Sequence, residues 1–192
     1  METLLHETYW CETQLCDVLE RLKSKASADP LREALIGHLE ETRNQIGRIE
    51  KIGSLLGLQN EALFCVGMQG LIDEGWQAVD ETPEGSAVRD AALIISMQRI
   101  EHYEMVSYGS LHALAEALEY RDVADLLEMN LAEERKAHET LTRLAISLIN
   151  PEALRESVEP AQDANDVLAS SMADTLPDGR NGQAHITRSE LP

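Results

Sequence analysis

Two side chains that bind metals lie on the predicted core face of one helix. In the segment LAEERKAHETL, residues 131–141, one helical face contains Leu131, Glu134, His138 and Leu141. A carboxylate and an imidazole are out of place among leucines unless they bind something there. Both are ligands that iron(II) and manganese(II) accept. The spacing therefore predicts that Glu134 and His138 bind a metal ion.

Further acids lie on the predicted core faces of the other long helices. Burying one ionised carboxylate without a partner is costly, and burying several requires cations to neutralise them. A hard metal ion held by carboxylate oxygens is such a cation. The alternative for each acid is that the predicted core face is wrong by a third of a turn, in which case the acid lies in solvent. The predicted metal ligands are Glu12, Glu41, Glu101, Glu104, Glu134 and His138.

Two polar residues share the predicted helical face of Glu41. His38 comes one turn earlier and Gln45 one turn later. We interpret His38 and His102 as surface residues or as supports for the ligands, because a lone histidine is more often one of these than a ligand. The spacing leaves open whether His38 or Gln45 contributes to the site.

The sequence around these residues is typical of helices. Apolar residues recur at intervals of three and four, and only 4% of the residues are aromatic. Asp29–Pro30 resembles an N-cap and first helical position, while Gly57 and Pro151 are typical of helix ends. The pattern predicts helices over about 2–25, 29–56, 61–81, 86–118 and 122–149. The predicted fold is all-α, a four-helix bundle with a short helix in the central crossover.

The two halves of the chain resemble each other. The segments HLEETRNQI and LAEERKAHE match when Glu41 is aligned with Glu134, which places Gln45 opposite His138. We interpret the match as two helical hairpins related by a pseudo-twofold axis, which form a domain over residues 1–150. Residues 151–192 contain four of the six prolines and no aromatic residue, and we predict a disordered tail there.

Charge and composition exclude several classes of partner. The chain has 35 acidic and 16 basic residues and a formal charge of −19, so we expect it to bind neither nucleic acid nor anionic membranes. The N-terminal METLLHETYW lacks a basic and an apolar signal region, and no apolar run is long enough to span a bilayer. We therefore expect a soluble, cytoplasmic protein. Three cysteines without CxxC spacing indicate reduced thiols.

Four segments of the chain form a combination typical of one family: HLEETRNQIGRIE, CVGMQGLIDEG, VRDAALIISMQRIEHYEMVSYGSL and LAEERKAHETLT. Through them the chain resembles the YciE/YciF family of ferritin-like proteins, over about residues 3–150. The resemblance implies a ferritin-like bundle with a carboxylate-bridged di-metal centre, usually di-iron, in stress proteins that form homodimers. It assigns the ligands to the same five glutamates and to His138. Ferritin-like partner helices usually carry Glu-x-x-His. This chain has Glu-x-x-x-Gln and Glu-x-x-x-His instead, so we expect the two metal positions to be unequal.

The resemblance implies oxidation of iron(II) by O2 or peroxide as the main functional hypothesis, with manganese as an alternative metal. A second hypothesis is a non-catalytic dimeric stress protein that acts through protein partners, with a structural metal or with protonated acids. A third, an oxygenase, requires an apolar pocket beside the metals, which a sequence does not reveal.

Overall fold

The structure, a computed structural model, describes residues 1–158, which are helical throughout apart from the connections. The α-helices are α1 (Glu2–Leu22), α2 (Asp29–Leu56), α3 (Val66–Asp80), α4 (Ala87–Ala117) and α5 (Arg121–Leu144). No strand occurs in this range, and none of its helices is long and apolar enough to cross a membrane. The predicted tail lies, from residue 159 on, outside the described residues.

The four long helices form a bundle of two adjacent hairpins. Helix α1 packs on α2 and α5 packs on α4, and further contacts join α2 to α5 and α1 to α4. The shorter α3 lies in the connection between α2 and α4 and packs on α4. The predicted all-α bundle with a short crossover helix is therefore confirmed.

The predicted cap is confirmed at the C-terminal end of α2 and is wrong at its N-terminal end. Gly57 ends the helix in the left-handed conformation, with φ 69°, as predicted for a glycine cap. The prediction that Asp29 is the N-cap is wrong, because Ala28 holds that position and Asp29 is already helical. The carboxylate of Asp90 on α4 accepts hydrogen bonds of 2.8 Å from the backbone N–H groups of Ser27 and Ala28. An acid from the neighbouring hairpin therefore fixes the start of α2.

Pro151 does not end the last helix, contrary to the prediction. The chain continues from α5 through a π-helical turn, Ala145–Ile149, and remains helical to residue 158. In the π turn the N–H of Asn150 donates to the carbonyl of Ala145, five residues earlier. The helix therefore departs from α geometry in the turn before the proline, a residue that interrupts a regular α-helix.

Two apolar clusters fill the bundle, and the polar residues lie between them along each helix. One cluster includes Leu15, Leu35, Met97 and Leu141, and the other includes Leu5, Ile49, Leu111 and Leu131. On every long helix the predicted ligands fall between members of the two clusters. The fold thus encloses a polar layer near mid-bundle, where apolar packing above and below excludes water.

Candidate metal centre

Four buried groups from three helices converge in the polar layer. His38 of α2, Glu101 and Glu104 of α4 and Glu134 of α5 each present a donor atom, and these atoms all lie within 4.8 Å of one another. Metal–oxygen and metal–nitrogen bonds of about 2.0–2.2 Å place donors on opposite sides of an ion about 4.2 Å apart. Only small side-chain movements are needed for these four groups to surround one ion.

The unpaired atoms of this cluster test whether a cation fits. Among the described residues, both oxygens of Glu101, both oxygens of Glu104 and one oxygen of Glu134 are buried without a hydrogen-bond partner. Nε2 of His38 lies 3.1 Å from a Glu101 oxygen without forming a hydrogen bond to it. A buried polar atom without a partner costs about 1–3 kcal/mol. A bound cation would satisfy all of these atoms together, so the residues fit a metal.

Two neutral side chains orient the surrounding carboxylates. The amide of Gln45 donates a hydrogen bond to Oε1 of Glu134, and the hydroxyl of Tyr108 donates to Oε1 of Glu12. In each carboxylate the other oxygen, Oε2, is buried without a partner. Each donor therefore fixes one oxygen and leaves the second available to a cation. Gln45, whose role the sequence left open, is fully buried and contacts a cluster carboxylate.

His38 is the cluster residue that was not among the predicted ligands and whose role the sequence left open. We expected a surface or supporting residue, but its side chain is 5% exposed and belongs to the four converging groups. A signal was present in the sequence, because His38 shares the face of Leu35 and Gln45, both of which are buried. Histidine at that position is therefore part of the core face of α2.

The remaining predicted ligands lie around the cluster. Glu12 is fully buried on α1, Glu41 is 24% exposed and receives a 2.7 Å ion pair from Lys136, and Oε2 of Glu41 lies 3.9 Å from Nδ1 of His38. His138 is half-buried, and its Nδ1 has no hydrogen-bond partner in the described part of the chain. Its ring packs edge to face on the ring of His102, with 4.5 Å between the ring centroids. Metal binding by these three residues stays a prediction.

The residue-by-residue repeat of the two hairpins does not hold. The alignment paired Glu41 with Glu134 and Gln45 with His138, yet Glu134 is fully buried and Glu41 is not. Gln45 is fully buried whereas His138 is half-buried. The hairpins are equivalent in topology, but their polar residues occupy different environments.

Burial and mutual repulsion shift the acids towards their neutral forms. Burial raises the pKa of Glu104 and Glu134 well above the usual range of carboxyls. Burial also raises the pKa of Glu12 to about 7, although the hydrogen bond from Tyr108 opposes the shift. Burial alone would lower the pKa of His38, but the Glu101 carboxylate raises it well above its usual value. Without a cation, the layer therefore retains protons that an ion would displace.

The fold and this layer together define a class: all-helical bundle proteins with a buried carboxylate–imidazole cluster that can hold a metal ion. The chain belongs to the DUF892 family, a domain of unknown function, whose pattern it matches over residues 2–154. This covers all five helices and every residue of the cluster.

Similar proteins are known in two bacteria. Protein YciF of Escherichia coli (strain K12) is 44% identical over 151 residues, which cover 78% of this chain and 90% of that protein. The crystal structure of the E. coli stress protein YciF matches with a TM-score of 0.72, covering 77% of this chain and 92% of that chain. YcfI from Rhodopseudomonas palustris is 34% identical, with a TM-score of 0.70 and coverage of 72% and 88%.

Proposed function

We propose that this protein is a di-metal stress protein that oxidises iron(II) with O2 or peroxide at the polar layer of its bundle. The observation that carries the proposal is the convergence of His38, Glu101, Glu104 and Glu134, with buried donor atoms that no hydrogen bond satisfies within residues 1–158. Similarity to the E. coli stress protein YciF supports the stress role.

The chain's own residues would hold two ions in unequal positions. The four converging groups supply three carboxylates and one imidazole, a donor set that suits iron(II) and manganese(II). Glu12, with one free buried oxygen, is a candidate donor for a second position, and Glu41 and His138 are the other two. One histidine in the converging set makes the two positions chemically different.

Bound iron(II) would supply electron transfer, namely the two electrons that convert one peroxide and two protons into two waters. The protein residues control protons and water around that step. The Tyr108 hydroxyl donates a hydrogen bond to Oε1 of Glu12, and burial raises the pKa of Glu12 to about 7, so Glu12 can take up or release a proton near neutral pH. Apolar clusters on either side exclude bulk water.

The first test is metal content. Protein purified without a metal-affinity tag, and loaded anaerobically with iron(II), is expected to retain close to two irons per chain by elemental analysis. Glu134→Gln should lose most of this metal because it removes a converging carboxylate. Glu133→Gln is the matched control: Glu133 is the adjacent acid, it is not one of the four converging groups, and it forms a partly buried ion pair with Arg48 at 2.6 Å. Equal metal content in the two variants would refute the site.

The second test is turnover. The iron-loaded protein should consume O2 or peroxide over repeated additions of iron(II), and the rate should fall by at least an order of magnitude in Glu134→Gln. Glu133→Gln should keep the wild-type rate. Metal retention without repeated turnover would leave a structural metal site and would remove the enzymatic part of the proposal.

The raised pKa values of the acids support a second candidate, a non-catalytic helical stress protein. If Glu104 and Glu134 hold protons at neutral pH, the layer can persist without any ion. The form of that candidate with protonated acids and no structural metal predicts no iron or manganese binding in a calorimetric titration at pH 7. Release of protons on addition of manganese(II) would instead favour the metal centre.

A further inference from the structure

A cavity leads from the surface of the bundle to the polar layer. Its volume is about 180 Å³, and it lies between α2 and α5 above α4. Its outer wall includes Gly37 and Lys136, which are exposed, and its inner wall includes Met97 and Glu101, which are fully buried. His38 also lines it, so the cavity reaches two members of the metal cluster, His38 and Glu101.

The walls of the cavity are mostly apolar. Its charged groups form two pairs of opposite charge: Glu41–Lys136 near the surface, at 2.7 Å, and Glu101–His38 at the inner end, at 3.1 Å. The apolar lining consists of Ala34, Leu35, Met97, Ala137 and Leu141. A charged solute would lose hydration along such walls, and each charge of the lining already has an oppositely charged neighbour. The lining therefore favours small neutral molecules.

The volume sets an upper limit on the size of a ligand. An engineered apolar cavity of about 150 Å³ in another protein binds benzene. The cavity in this bundle is slightly larger, so it has room for one molecule of about six to eight non-hydrogen atoms.

We propose that this cavity is a binding site for one small neutral molecule, up to about the size of benzene, which enters beside the Glu41–Lys136 pair and reaches His38 and Glu101. The delivery of that molecule to a metal centre rests on the proposed function. The binding itself does not, because the cavity walls are protein side chains. The ligand class includes neutral oxidants as well as small organic substrates.

Gly37 provides a way to close the cavity. A Cβ built at Gly37 meets nothing within 4 Å, and Gly37 lines the cavity, so we expect a larger side chain there to narrow the cavity. Gly47 lies on the same helix, is also exposed, also has nothing within 4 Å of an added Cβ, and does not line the cavity. Gly37→Leu and Gly47→Leu are therefore a matched pair.

The experiment is a benzene titration of metal-free protein with methyl groups of methionine labelled with ¹³C for NMR. The chain has six methionines, and Met97→Leu identifies the Met97 resonance. We expect a saturable shift of the Met97 methyl, at least tenfold weaker binding in Gly37→Leu, and unchanged binding in Gly47→Leu. Met129, whose side chain is 50% exposed, reports non-specific binding.

Two results would overturn the proposal. One is that the Met97 methyl resonance of the folded wild-type protein does not shift, even when the solution is saturated with benzene. The other is equal binding by Gly37→Leu and Gly47→Leu. Ala34→Leu fills the same cavity from a second position and replaces Gly37→Leu if that variant does not fold. Because the assay uses no metal, its failure is separate from failure of the metal content test.

Discussion

The metal-free protein should lose stability as the pH rises from about 4.5 to 7, and Glu12 should account for a measurable share of this loss. Burial raises the pKa of Glu12 from 4.5 to about 7. The difference of 2.5 pH units (7 − 4.5) corresponds to about 3 kcal/mol at 1.36 kcal/mol per unit. Glu12 is fully buried, so solvent does not screen its interactions.

The sign follows from proton uptake on folding. Between pH 4.5 and 7 the unfolded chain has lost the Glu12 proton while the folded chain still holds it. Stability from this group is therefore complete below about pH 4.5 and is lost as the pH rises towards 7. Glu104 and Glu134 act in the same direction because burial raises their pKa as well. Glu41 titrates below this window, since the His38 imidazole and the Lys136 ammonium lower its pKa to about 2.

The assay is urea unfolding of EDTA-treated protein between pH 4 and 8, followed by circular dichroism. Glu12→Gln isolates the effect, because the neutral amide keeps an oxygen that accepts the hydrogen bond from Tyr108. The variant and the wild type should have similar free energies of unfolding at pH 4, and the variant should be more stable by about 3 kcal/mol at pH 7.5. A gap that does not widen with pH would refute the reasoning.

Three other predictions concern which histidine binds the metal, a buried hydrogen bond and the oligomer. His38→Ala should remove most of the bound metal and His138→Ala less of it; elemental analysis showing the reverse order would place the imidazole ligand at His138. Tyr108→Phe should lower the free energy of unfolding by about 1–3 kcal/mol in urea, because a buried Glu12 oxygen loses its donor. Val106, 69% exposed on α4, is suited to the expected homodimer interface, so Val106→Glu should halve the mass measured by light scattering; an unchanged dimer mass would exclude that surface.

Most of the fold could be predicted because the helix signals are local. The glycine cap at Gly57 and the apolar intervals of three and four set the long helices to within a few residues. The N-cap of α2 was misassigned because the N–H groups of Ser27 and Ala28 are bound by Asp90, which comes from a different hairpin and is not visible in the local sequence. The π turn before Pro151 depends on tertiary packing and has no local signal.

Glu41 was predicted on the core face of α2 but is 24% exposed, and the reason is geometric. After His38, a step of three leads to Glu41 and a step of four leads to Thr42, and both steps then lead to Gln45. The structure takes the second path: Thr42 is fully buried, and its hydroxyl donates a 3.0 Å hydrogen bond to the carbonyl of His38. Periodicity treats the two paths as equal, and only the contact with α5 distinguishes them. The three glutamates of the converging cluster were all predicted from spacing.

A stability measurement on Gly37 would show whether the fold itself requires glycine beside the site. A glycine inside a helix is less stable than alanine by about 0.5–1 kcal/mol, and an added Cβ at Gly37 meets nothing within 4 Å. Gly37→Ala should therefore raise the free energy of unfolding by this amount, and Gly47→Ala should give the same gain because its surroundings are equally open. Equal gains in the free energy of unfolding would mean that the backbone of α2 requires glycine at neither position. The open space next to Gly37 would then matter only for access to the cavity. A loss of stability in Gly37→Ala alone would show instead that the glycine is needed by α2, and the cavity would be a by-product of helix packing.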